Sequence, residues 1–311
     1  MKAYELIIIG AGPAGITAAI YAARRKLNFL LISKDIGGQT LLSAEVKNYT
    51  GYHFIKGTDL VKKFEEHLRD YKIKVKIKER VKNIRKIGKN FEIITSKSKY
   101  QTRAVIVASG KKPRKLKVPG EDEFHNKGLT YCATCDAPLF DQKIVAVIGG
   151  ANSALESTLA SIPYAKKIYI ITINSKLYGD KVLQDKILKN KKVEVLYKAK
   201  TTEVLGKKFV TGLKLEQNKK ERTLNVEGIF VEIGLIPGCN FAEIIRKNKW
   251  GEIMIKRSTK TMAENLTNIS GIFAAGDVTD IPAKQIIVAA GEGSKAALAC
   301  FDYLGKQQEG W

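Results

Sequence analysis

The chain is poor in the residues from which proteins build metal centres and disulfide scaffolds. Its 311 residues include only four cysteines and three histidines. A structural zinc site needs four such ligands, but Cys239 and Cys300 each stand alone and the histidines show no paired spacing. Four cysteines in a chain of this length also do not form the framework of a small secreted domain. We therefore expect no bound metal, and the other two cysteines need another explanation.

Long apolar runs are missing as well. No stretch approaches the roughly 18 apolar residues of a membrane helix, and the N-terminus leads into a strand pattern instead of a signal peptide. With 44% hydrophobic and 27% charged residues, the composition is that of a folded globular protein with room for two cores. These features predict a cytoplasmic protein that does not enter a membrane.

Acidic residues are few in comparison with basic ones. The chain has 31 Asp and Glu against 54 Lys and Arg, a net charge of +23, and residues 62–115 alone contribute 19 basic and 5 acidic residues. Residues 72–78 alternate lysine with branched apolar residues, which predicts a strand with a lysine face. Such a charge favours an acidic partner, and a lysine-rich proteome is the alternative explanation. No aromatic residues recur among the lysines to stack on bases, which argues against nucleic acid.

The remaining cysteines lie close together in the segment 131–138. Cys132 and Cys135 are separated by two residues, the spacing of a redox-active pair. Thiol exchange requires a thiolate, and Asp136 beside Cys135 could exchange a proton with the reacting sulfur. A surface pair that merely tolerates oxidation is the alternative, but the surrounding motifs favour a redox centre.

A dinucleotide-binding pattern occupies the N-terminus. Residues 5–9 form a wholly apolar run, glycines follow at positions 10, 12 and 15, and a helical pattern comes next. This order of strand, GxGxxG turn and helix places a pyrophosphate at the N-terminus of the helix. An acidic ribose ligand is expected after the second strand, but Ser33 and Lys34 stand there and Asp35 comes slightly late.

A second such pattern follows in an altered form. Residues 143–148 form an apolar run that enters a turn at Gly149 and Gly150, but Ala151 replaces the glycine that admits a pyrophosphate. Residues 272–278 then form a late strand that ends in Gly276 and Asp277. The sequence predicts an α/β protein of two doubly wound, Rossmann-like domains, the second inserted into the first. We assign residues 1–115 and 246–311 to the outer domain and 116–245 to the inserted one.

The whole set of motifs resembles the low-molecular-weight thioredoxin reductases over nearly the full chain. The resemblance rests on the GxGxxG turn at 10–15, GGQ at 37–39, CATCD at 132–136, GGxxSA at 149–154 and AGDV at 275–278. It implies FAD bound by the discontinuous outer domain, a homodimer, and a domain rotation that exposes the dithiol to thioredoxin.

The resemblance also implies roles for single residues. Cys135 would face the flavin, Cys132 would be the interchange thiol that attacks thioredoxin, and Asp136 would be the acid–base residue. Trp311 could stack near the flavin. The predicted cofactor-binding residues are Gly10, Gly12, Pro13, Ala14, Gly15, Gly38, Gln39, Asn48, Gly110, Gly276, Asp277, Lys284, Gln285 and Ile286.

One departure from the family pattern changes the expected electron donor. NADPH-using members carry HRR and a further arginine at the ribose-phosphate end of the inserted domain, where this chain has residues 172–174 (Thr-Ile-Asn) and Tyr178. All three arginines are gone. The chain is therefore similar to the ferredoxin-dependent flavin thioredoxin reductases, and its basic charge would steer an acidic ferredoxin. An NADH- or deazaflavin-dependent reductase is the alternative, and a nucleic-acid-binding protein on a flavoprotein fold is the alternative of another class.

Overall fold

The computed structural model describes residues 3–43, 46–256 and 264–308. The chain divides into two compact units: the first comprises Met1–Lys112 and Ile236–Trp311, and the second comprises Pro113–Leu235. The second unit is thus inserted into the first, which confirms the predicted fold class. The chain leaves the first unit three residues before the predicted position and returns ten residues before it.

Strands and α-helices alternate in two parts of the chain, from β1 to β3 and from β8 to β11, and the rest is mainly strands that follow one another. The strands are β1 (Ala3–Ala11), β2 (Phe29–Ile36), β3 (Val75–Lys76), β4 (Val81–Ile87), β5 (Asn90–Thr95), β6 (Lys99–Val107), β7 (Lys111–Pro113), β8 (Leu129–Thr130), β9 (Ile144–Ile148), β10 (Lys167–Ile171), β11 (Val193–Leu196), β12 (Ala199–Gly206), β13 (Val210–Gln217), β14 (Lys220–Asn225), β15 (Gly228–Val231), β16 (Leu235–Pro237) and β17 (Ile272–Ala274). The α-helices are α1 (Pro13–Arg24), α2 (Gly57–Asp70), α3 (Ala133–Asp136), α4 (Asn152–Ser161), α5 (Lys181–Leu188) and α6 (Ile286–Gln308).

The early return to the first unit has a physical cause. Cys239, Ala242 and Ile245 are buried in a hydrophobic cluster of the first unit, with Ile7 and Ile9 of β1. These residues belong to that core although no change of composition marks the point where the chain returns. The two crossing segments, β7 and β16, pair with each other as a two-stranded sheet.

The sheet of the first unit has the order β3-β2-β1-β6-β5-β4, and β17 also pairs with β6. Strand β1 is parallel to β2 and β6, whereas β4, β5 and β6 form an antiparallel meander. Leu6 and Ile8 face the cluster that holds helices α1 and α6, and Ile7 and Ile9 face the cluster beneath the meander. Because both faces of β1 are covered, every side chain of its central run must be apolar.

The lysine-rich segment does not form the predicted strand over residues 72–78. Only Val75 and Lys76 are strand, and Lys72 and Lys78 adopt left-handed backbone conformations with φ of 50° and 56°. The alternating segment therefore consists of a two-residue strand with a turn on either side. The four lysines of the segment are nevertheless all exposed, and Ile73 and Val75 pack half-buried against the core of the first unit.

The second unit repeats the parallel arrangement on a smaller scale. Its five-stranded sheet has the order β11-β10-β9-β15-β8, all parallel, and a separate antiparallel meander is formed by β12, β13 and β14. Val145 and Val147 of β9 pack with α4 on one face, and Ala146 and Ile148 pack with the meander on the other. As in the first unit, the central strand reads as an unbroken apolar run because it is covered on both faces.

The two cysteines outside the 131–138 segment are both buried. Cys239 is 1% exposed and its Sγ donates a hydrogen bond to the Gly251 carbonyl oxygen at 3.3 Å, and Cys300 is completely buried in α6. Burial raises the pKa of both thiols. Both are packing residues, as expected from the sequence. None of the helices in the described part of the chain combines the length and the apolar character that a membrane span requires.

Candidate functional site

The first glycine turn contains glycines of two kinds. A Cβ on Gly10, whose φ is +107°, would lie 2.3 Å from the Ala108 carbonyl oxygen, and one on Gly15 would lie 1.8 Å from the Gly10 carbonyl oxygen. The protein itself therefore requires glycine at both positions. A Cβ on Gly12 would have no atom within 4 Å, although Gly12 is the N-cap of α1 with ordinary extended backbone. Glycine at position 12 is explained by a ligand that approaches the backbone.

Several predicted cofactor residues lie around this turn. A Cβ on Gly38 would lie 3.5 Å from the Gly12 Cα atom, and Gln39 Nε2 donates a hydrogen bond to Asp277 Oδ2 at 3.3 Å. Gly276 is equally close to α1, since its Cβ would lie 2.9 Å from that of Ala14. The structure thus brings the N-terminal turn, the GGQ segment and the late Gly-Asp segment together.

Other predicted residues extend the same site. Pro13 is the first residue of α1, and Gly110 has a φ of +64° with open space beside its Cα atom. Asn48 Nδ2 donates a hydrogen bond to Gln285 Oε1 at 2.9 Å, immediately before Ile286 begins α6. Trp311 lies outside the described residues.

Two buried hydroxyl groups at this site were not predicted. Thr40 follows Gln39 and Ser109 precedes Gly110, and neither Thr40 Oγ1 nor Ser109 Oγ has a hydrogen-bond partner in the described part of the chain. A buried hydroxyl without a partner is costly, so both atoms indicate a polar ligand. Their position next to predicted residues is the signal that sequence reasoning could have used.

A buried ion pair lies close to the Gly276–Asp277 segment. The Lys111 ammonium contacts Glu252 Oε1, and Lys284 Nζ lies 3.6 Å from the same oxygen and donates a hydrogen bond to the Thr279 carbonyl oxygen at 2.7 Å. Burial raises the pKa of Glu252, but the hydrogen bonds and charges of its partners outweigh burial, and the net pKa is lowered. Burial also raises the pKa of Asp277, which the charges of the two lysines oppose.

The residue at the expected ribose-ligand position has a structural role instead. Ser33 is buried and its Oγ accepts a hydrogen bond from the Ala11 backbone N–H at 3.1 Å, which fixes the glycine turn against β2. Lys34 and Asp35 are exposed and lie 3.8 Å apart.

The redox pair lies in the second unit, where Cys132 and Cys135 form a disulfide with a Cα–Cα distance of 5.4 Å. Cys132 is half-buried and is the N-cap of the short helix α3. Asp136 is 6% exposed and its Oδ2 accepts a hydrogen bond from Thr130 Oγ1. The same Thr130 oxygen accepts a hydrogen bond from the Cys132 backbone N–H at 3.2 Å. Thr130, which the sequence did not reveal, therefore connects the predicted acid–base residue to the disulfide loop.

Tyr131 fixes the other side of the loop. Its hydroxyl donates a hydrogen bond to Glu121 Oε1 at 3.0 Å, and burial is the main cause of its raised pKa. The Glu121 carboxylate also accepts hydrogen bonds from the backbone N–H groups of Leu116 and Lys117, at 2.7 and 2.8 Å. The segment that enters the second unit and the redox loop thus share one buried carboxylate.

A second carboxylate of this unit, that of the half-buried Glu232, is held by helix α4. Glu232 follows β15, and its Oε1 accepts a hydrogen bond from Ser157 Oγ of α4 at 2.5 Å. Burial, which is the largest influence, raises the pKa of Glu232 to about 7. A glutamate at the end of an apolar strand is the sequence signal that could have drawn attention to it.

The second glycine turn differs from the first in what surrounds it. Ala151 is the N-cap of α4, and the next residue, Asn152, accepts the Asp180 backbone N–H at 2.8 Å through Oδ1. The Tyr178 N–H donates to the Gly150 carbonyl oxygen at 2.6 Å. Ile173, at a position of the missing arginines, is 71% exposed. The described residues contain no group of three or more His, Cys, Asp or Glu side chains that could hold a metal ion.

Comparison with known proteins agrees with this arrangement. Residues 4–293 match the family described as pyridine nucleotide-disulphide oxidoreductase. The chain belongs to this family. A curated relative, the F subunit of alkyl hydroperoxide reductase from Staphylococcus epidermidis, is 38% identical over 305 residues, which cover 97% of this chain and 59% of the relative. The chain thus spans somewhat more than half the length of the curated relatives it matches.

Solved thioredoxin reductases share the fold. That of Streptococcus pyogenes is 32% identical, with a TM-score of 0.88 over 98% of this chain and 99% of its own. A ferredoxin-flavin thioredoxin reductase of Clostridium acetobutylicum is also 32% identical, with a TM-score of 0.55 over 99% of this chain and 100% of its own. This member of the pyridine nucleotide-disulphide oxidoreductase family therefore has the fold of the solved thioredoxin reductases.

The cofactor of this oxidoreductase is FAD, as predicted, and the first unit fits it. Gly12 and Gly110 leave open space beside their backbones, and the Thr40 and Ser109 hydroxyls need polar partners. The α1 N-terminus suits a pyrophosphate, and the Asp277 carboxylate suits ribose hydroxyl groups.

Proposed function

We propose that this oxidoreductase is a ferredoxin-dependent flavin thioredoxin reductase. FAD in the first unit would receive electrons from an acidic iron–sulfur protein, and the Cys132–Cys135 disulfide would pass them to thioredoxin. The observation that carries the proposal is the composition of the second glycine turn and the strand beside it, where no arginine is available for a 2′-phosphate.

The side chains at that strand end favour a donor other than NADPH. An exposed isoleucine, Ile173, stands where a charge-assisted contact would be needed, and Asn174 and Tyr178 complete the substituted set. Each such contact contributes about 1.5–3 kcal/mol. Without them the chain loses most of the affinity that distinguishes NADPH from NADH.

The charge of the first unit supports an acidic partner. Between residues 72 and 99 every basic side chain is exposed, and no ion pair joins any of them to another described residue. They are Lys72, Lys74, Lys76, Lys78, Arg80, Lys82, Arg85, Lys86, Lys89, Lys97 and Lys99. The acidic residues of the segment, Glu79 and Glu92, are buried. Exposed cations of this kind raise the rate at which an anionic protein is captured.

The redox loop supplies the chemistry of the acceptor side. FAD, when bound, supplies the conversion between single electrons from an iron–sulfur donor and the electron pair that a disulfide requires. Two electrons and two protons convert the Cys132–Cys135 disulfide into two thiols, and Asp136 is placed to hold one of these protons. The Cys132 thiolate then attacks the thioredoxin disulfide and forms a mixed disulfide. Attack by Cys135 restores the internal disulfide and releases thioredoxin with two thiols.

The test is anaerobic reduction of the bound flavin, followed by its absorbance, with NADPH, NADH and reduced ferredoxin offered separately. We expect rapid bleaching by ferredoxin alone, and a lower rate when salt is raised because exposed charges are screened. Rapid bleaching by either nicotinamide, at a rate matching turnover, would overturn the proposed donor.

A charge-reversal experiment tests the role of the basic segment. Replacing Lys74, Lys76 and Lys82 by glutamate should lower the ferredoxin rate about tenfold at low salt, because steering depends on net charge and its distribution. The matched control reverses Lys189, Lys191 and Lys200, which are exposed in the second unit. Equal effects of the two triple variants would show that only total charge matters.

The curated relatives favour a second candidate acceptor. They are named as the F subunit of alkyl hydroperoxide reductase, and their 38% identity over 97% of this chain allows a disulfide protein other than thioredoxin to receive the electrons. Assays with thioredoxin and with a peroxide-reducing disulfide protein distinguish the two. The homodimer and the cytoplasmic location remain predictions, of which the first is tested by light scattering.

A further inference from the structure

Thr130 lies at the end of β8, where the chain leaves the sheet and enters the redox loop. It pairs with Phe230 of β15 in the parallel sheet, and it is 6% exposed. Its hydroxyl group has hydrogen-bond partners at both ends of the loop, the Cys132 backbone N–H at 3.2 Å and the Asp136 carboxylate. Thr130 Oγ1 therefore lies between the backbone of the first cysteine and the proposed acid–base residue.

The direction of these hydrogen bonds follows from the protons available. A threonine hydroxyl has one proton to donate, and a carboxylate is an acceptor only. The Thr130 proton therefore goes to Asp136 Oδ2, and the Thr130 oxygen accepts the Cys132 N–H. The Cys132 carbonyl oxygen accepts the Asp136 backbone N–H at 3.1 Å, which closes a ring of hydrogen bonds. Both the N–H and the C=O group of Cys132 are thus fixed relative to the Asp136 carboxylate.

We propose that Thr130 is a positioning residue of the redox centre, whose hydroxyl group holds the Asp136 carboxyl group in the orientation that proton exchange with the cysteine pair requires. When a dithiol reduces the pair, the Cys132–Cys135 bond breaks and a disulfide forms in the reductant. Two electrons and two protons pass from the reductant to the cysteine sulfurs, and Asp136 carries a proton between them. Thr130 neither gains nor loses a proton in the net reaction.

This inference rests on the proposed roles of the Cys132–Cys135 pair and of Asp136, and it does not depend on the electron donor. The experiment measures the rate at which dithiothreitol reduces the pair in the FAD-containing protein, at pH 7 and without oxygen. Samples are quenched with acid, and the reduced fraction of Cys132 and Cys135 is read by alkylation and mass spectrometry. The reaction needs neither ferredoxin nor thioredoxin, so it reports on the redox loop alone.

Thr130→Val has nearly the same volume as the wild-type residue but no hydroxyl group. It should lower the rate about tenfold, because Asp136 loses the hydrogen bond that orients its carboxylate. A loop that had only lost its support would expose the disulfide and react faster, so the direction of the change separates positioning from folding. Thr130→Ser keeps the hydroxyl group and should react within about twofold of the wild-type rate.

Thr158→Val is the matched control. Thr158 is also buried in the second unit, at 0% exposed, and its hydroxyl donates within its own helix, to the Ala154 carbonyl oxygen at 2.7 Å. This variant should react at the wild-type rate. An equal loss of rate in Thr158→Val and Thr130→Val would overturn the inference, as would a Thr130→Ser variant as slow as Thr130→Val.

A double variant tests whether Thr130 acts through Asp136. Asp136→Asn should lower the rate about 100-fold, and Thr130→Val should cause no further loss in that background. Additive losses would overturn the inference. If Asp136→Asn reacts at the wild-type rate, the proposed acid–base role is wrong and the inference is overturned with it. If Asp136→Asn is slow and Thr130→Val is not, the inference alone is overturned.

A smaller substitution keeps the test decisive if Thr130→Val does not fold. Thr130→Ala leaves room for a water molecule to bond with the Cys132 N–H, so the loop should keep its structure. Its rate should also fall about tenfold, because a water molecule does not hold the Asp136 carboxylate in one orientation. A wild-type rate in Thr130→Ala would overturn the inference.

Discussion

The two glycine turns have nearly the same backbone and different surroundings. Gly12 and Ala151 are the N-caps of α1 and α4, both extended, with φ of −81° and −112° and ψ of −175° in each. Beside Gly12 lies open space, whereas the turn at Ala151 is bonded to its own neighbouring segment through Asn152 and Asp180. Under the proposed function, the comparison teaches that a dinucleotide-binding fold is retained in the second unit to carry a redox loop instead of NADPH.

The largest effect is expected from removal of one cysteine of the redox loop. Cys132→Ser should abolish disulfide exchange with thioredoxin, because the oxygen of serine can neither form the internal disulfide nor attack another one. Flavin reduction by its donor should remain, since the first unit is unchanged. Turnover of thioredoxin and flavin bleaching are measured on the same preparation. Wild-type turnover in this variant would show that the dithiol is wrongly assigned.

The next effect compares the two turns directly. Gly12→Val should weaken FAD binding about 100-fold, because its added carbons enter the space of the ligand at a cost of roughly 3 kcal/mol. No protein atom lies within 4 Å of the new Cβ, so the fold should persist. Ala151→Val is the control at the matching position of the second turn. FAD content follows from absorbance and folding from circular dichroism, and similar losses in both variants would contradict the assignment.

The first unit contains a buried ion pair, and the described residues beside the second turn do not form one. Removing this pair is therefore a further test of the difference between the two regions. Lys111→Met should destabilise the first unit by about 2 kcal/mol at pH 7, because Glu252 loses one cation and keeps Lys284. The difference from wild type should shrink as pH falls below about 4, since the folded-state pKa of Glu252 is lowered and its ion pair is lost on protonation.

Urea unfolding of the FAD-saturated proteins at pH 7 and at about pH 3 measures this loss and its disappearance on protonation of Glu252. The double variant Lys111→Met, Glu252→Met should recover stability, because the buried Lys111–Glu252 pair is then replaced by apolar side chains. Lys167→Met, which removes the exposed pair with Glu194, is the control and should change little. A loss as large in the control as in Lys111→Met would contradict the role given to burial.

The smallest effect is expected when the missing arginines are introduced near the second turn. The triple variant Ile173→Arg, Asn174→Arg, Tyr178→Arg should increase the rate of flavin reduction by NADPH about tenfold at low concentration, from charge-assisted contacts with the 2′-phosphate. Glutamine at the same positions provides the uncharged control. No gain with arginine would indicate that the turn itself, through Ala151, excludes the dinucleotide.

The parts of the fold that sequence predicts well are those in which every residue obeys one local rule. Strands β1 and β9 are covered on both faces, so their runs are wholly apolar and leave no doubt about their type. The segment 72–78 alternates too, but left-handed backbone at Lys72 and Lys78 accompanies a strand of only two residues, Val75 and Lys76. Alternation reports half-burial, which a turn can supply as well as a strand.

The parts of the site that sequence does not reveal depend on partners distant along the chain. Glu252 lies 141 residues from Lys111, and Ser157 lies 75 residues from Glu232. No local pattern connects such pairs, so their burial and protonation follow only from the fold. Cys132, Cys135 and Asp136 could be proposed because they are contiguous, whereas Thr130 required the structure to show its two hydrogen bonds.

The burial of Cys239 and Cys300 has a consequence for selectivity. A protein that exchanges disulfides continually generates a reactive thiolate, and any accessible thiol elsewhere would compete to trap it. Both sulfurs are enclosed in apolar packing with raised pKa values, so they do not take part in that exchange. The oxidation state of the whole chain is therefore set by a single pair of sulfurs, and each turnover begins and ends with the same covalent connectivity.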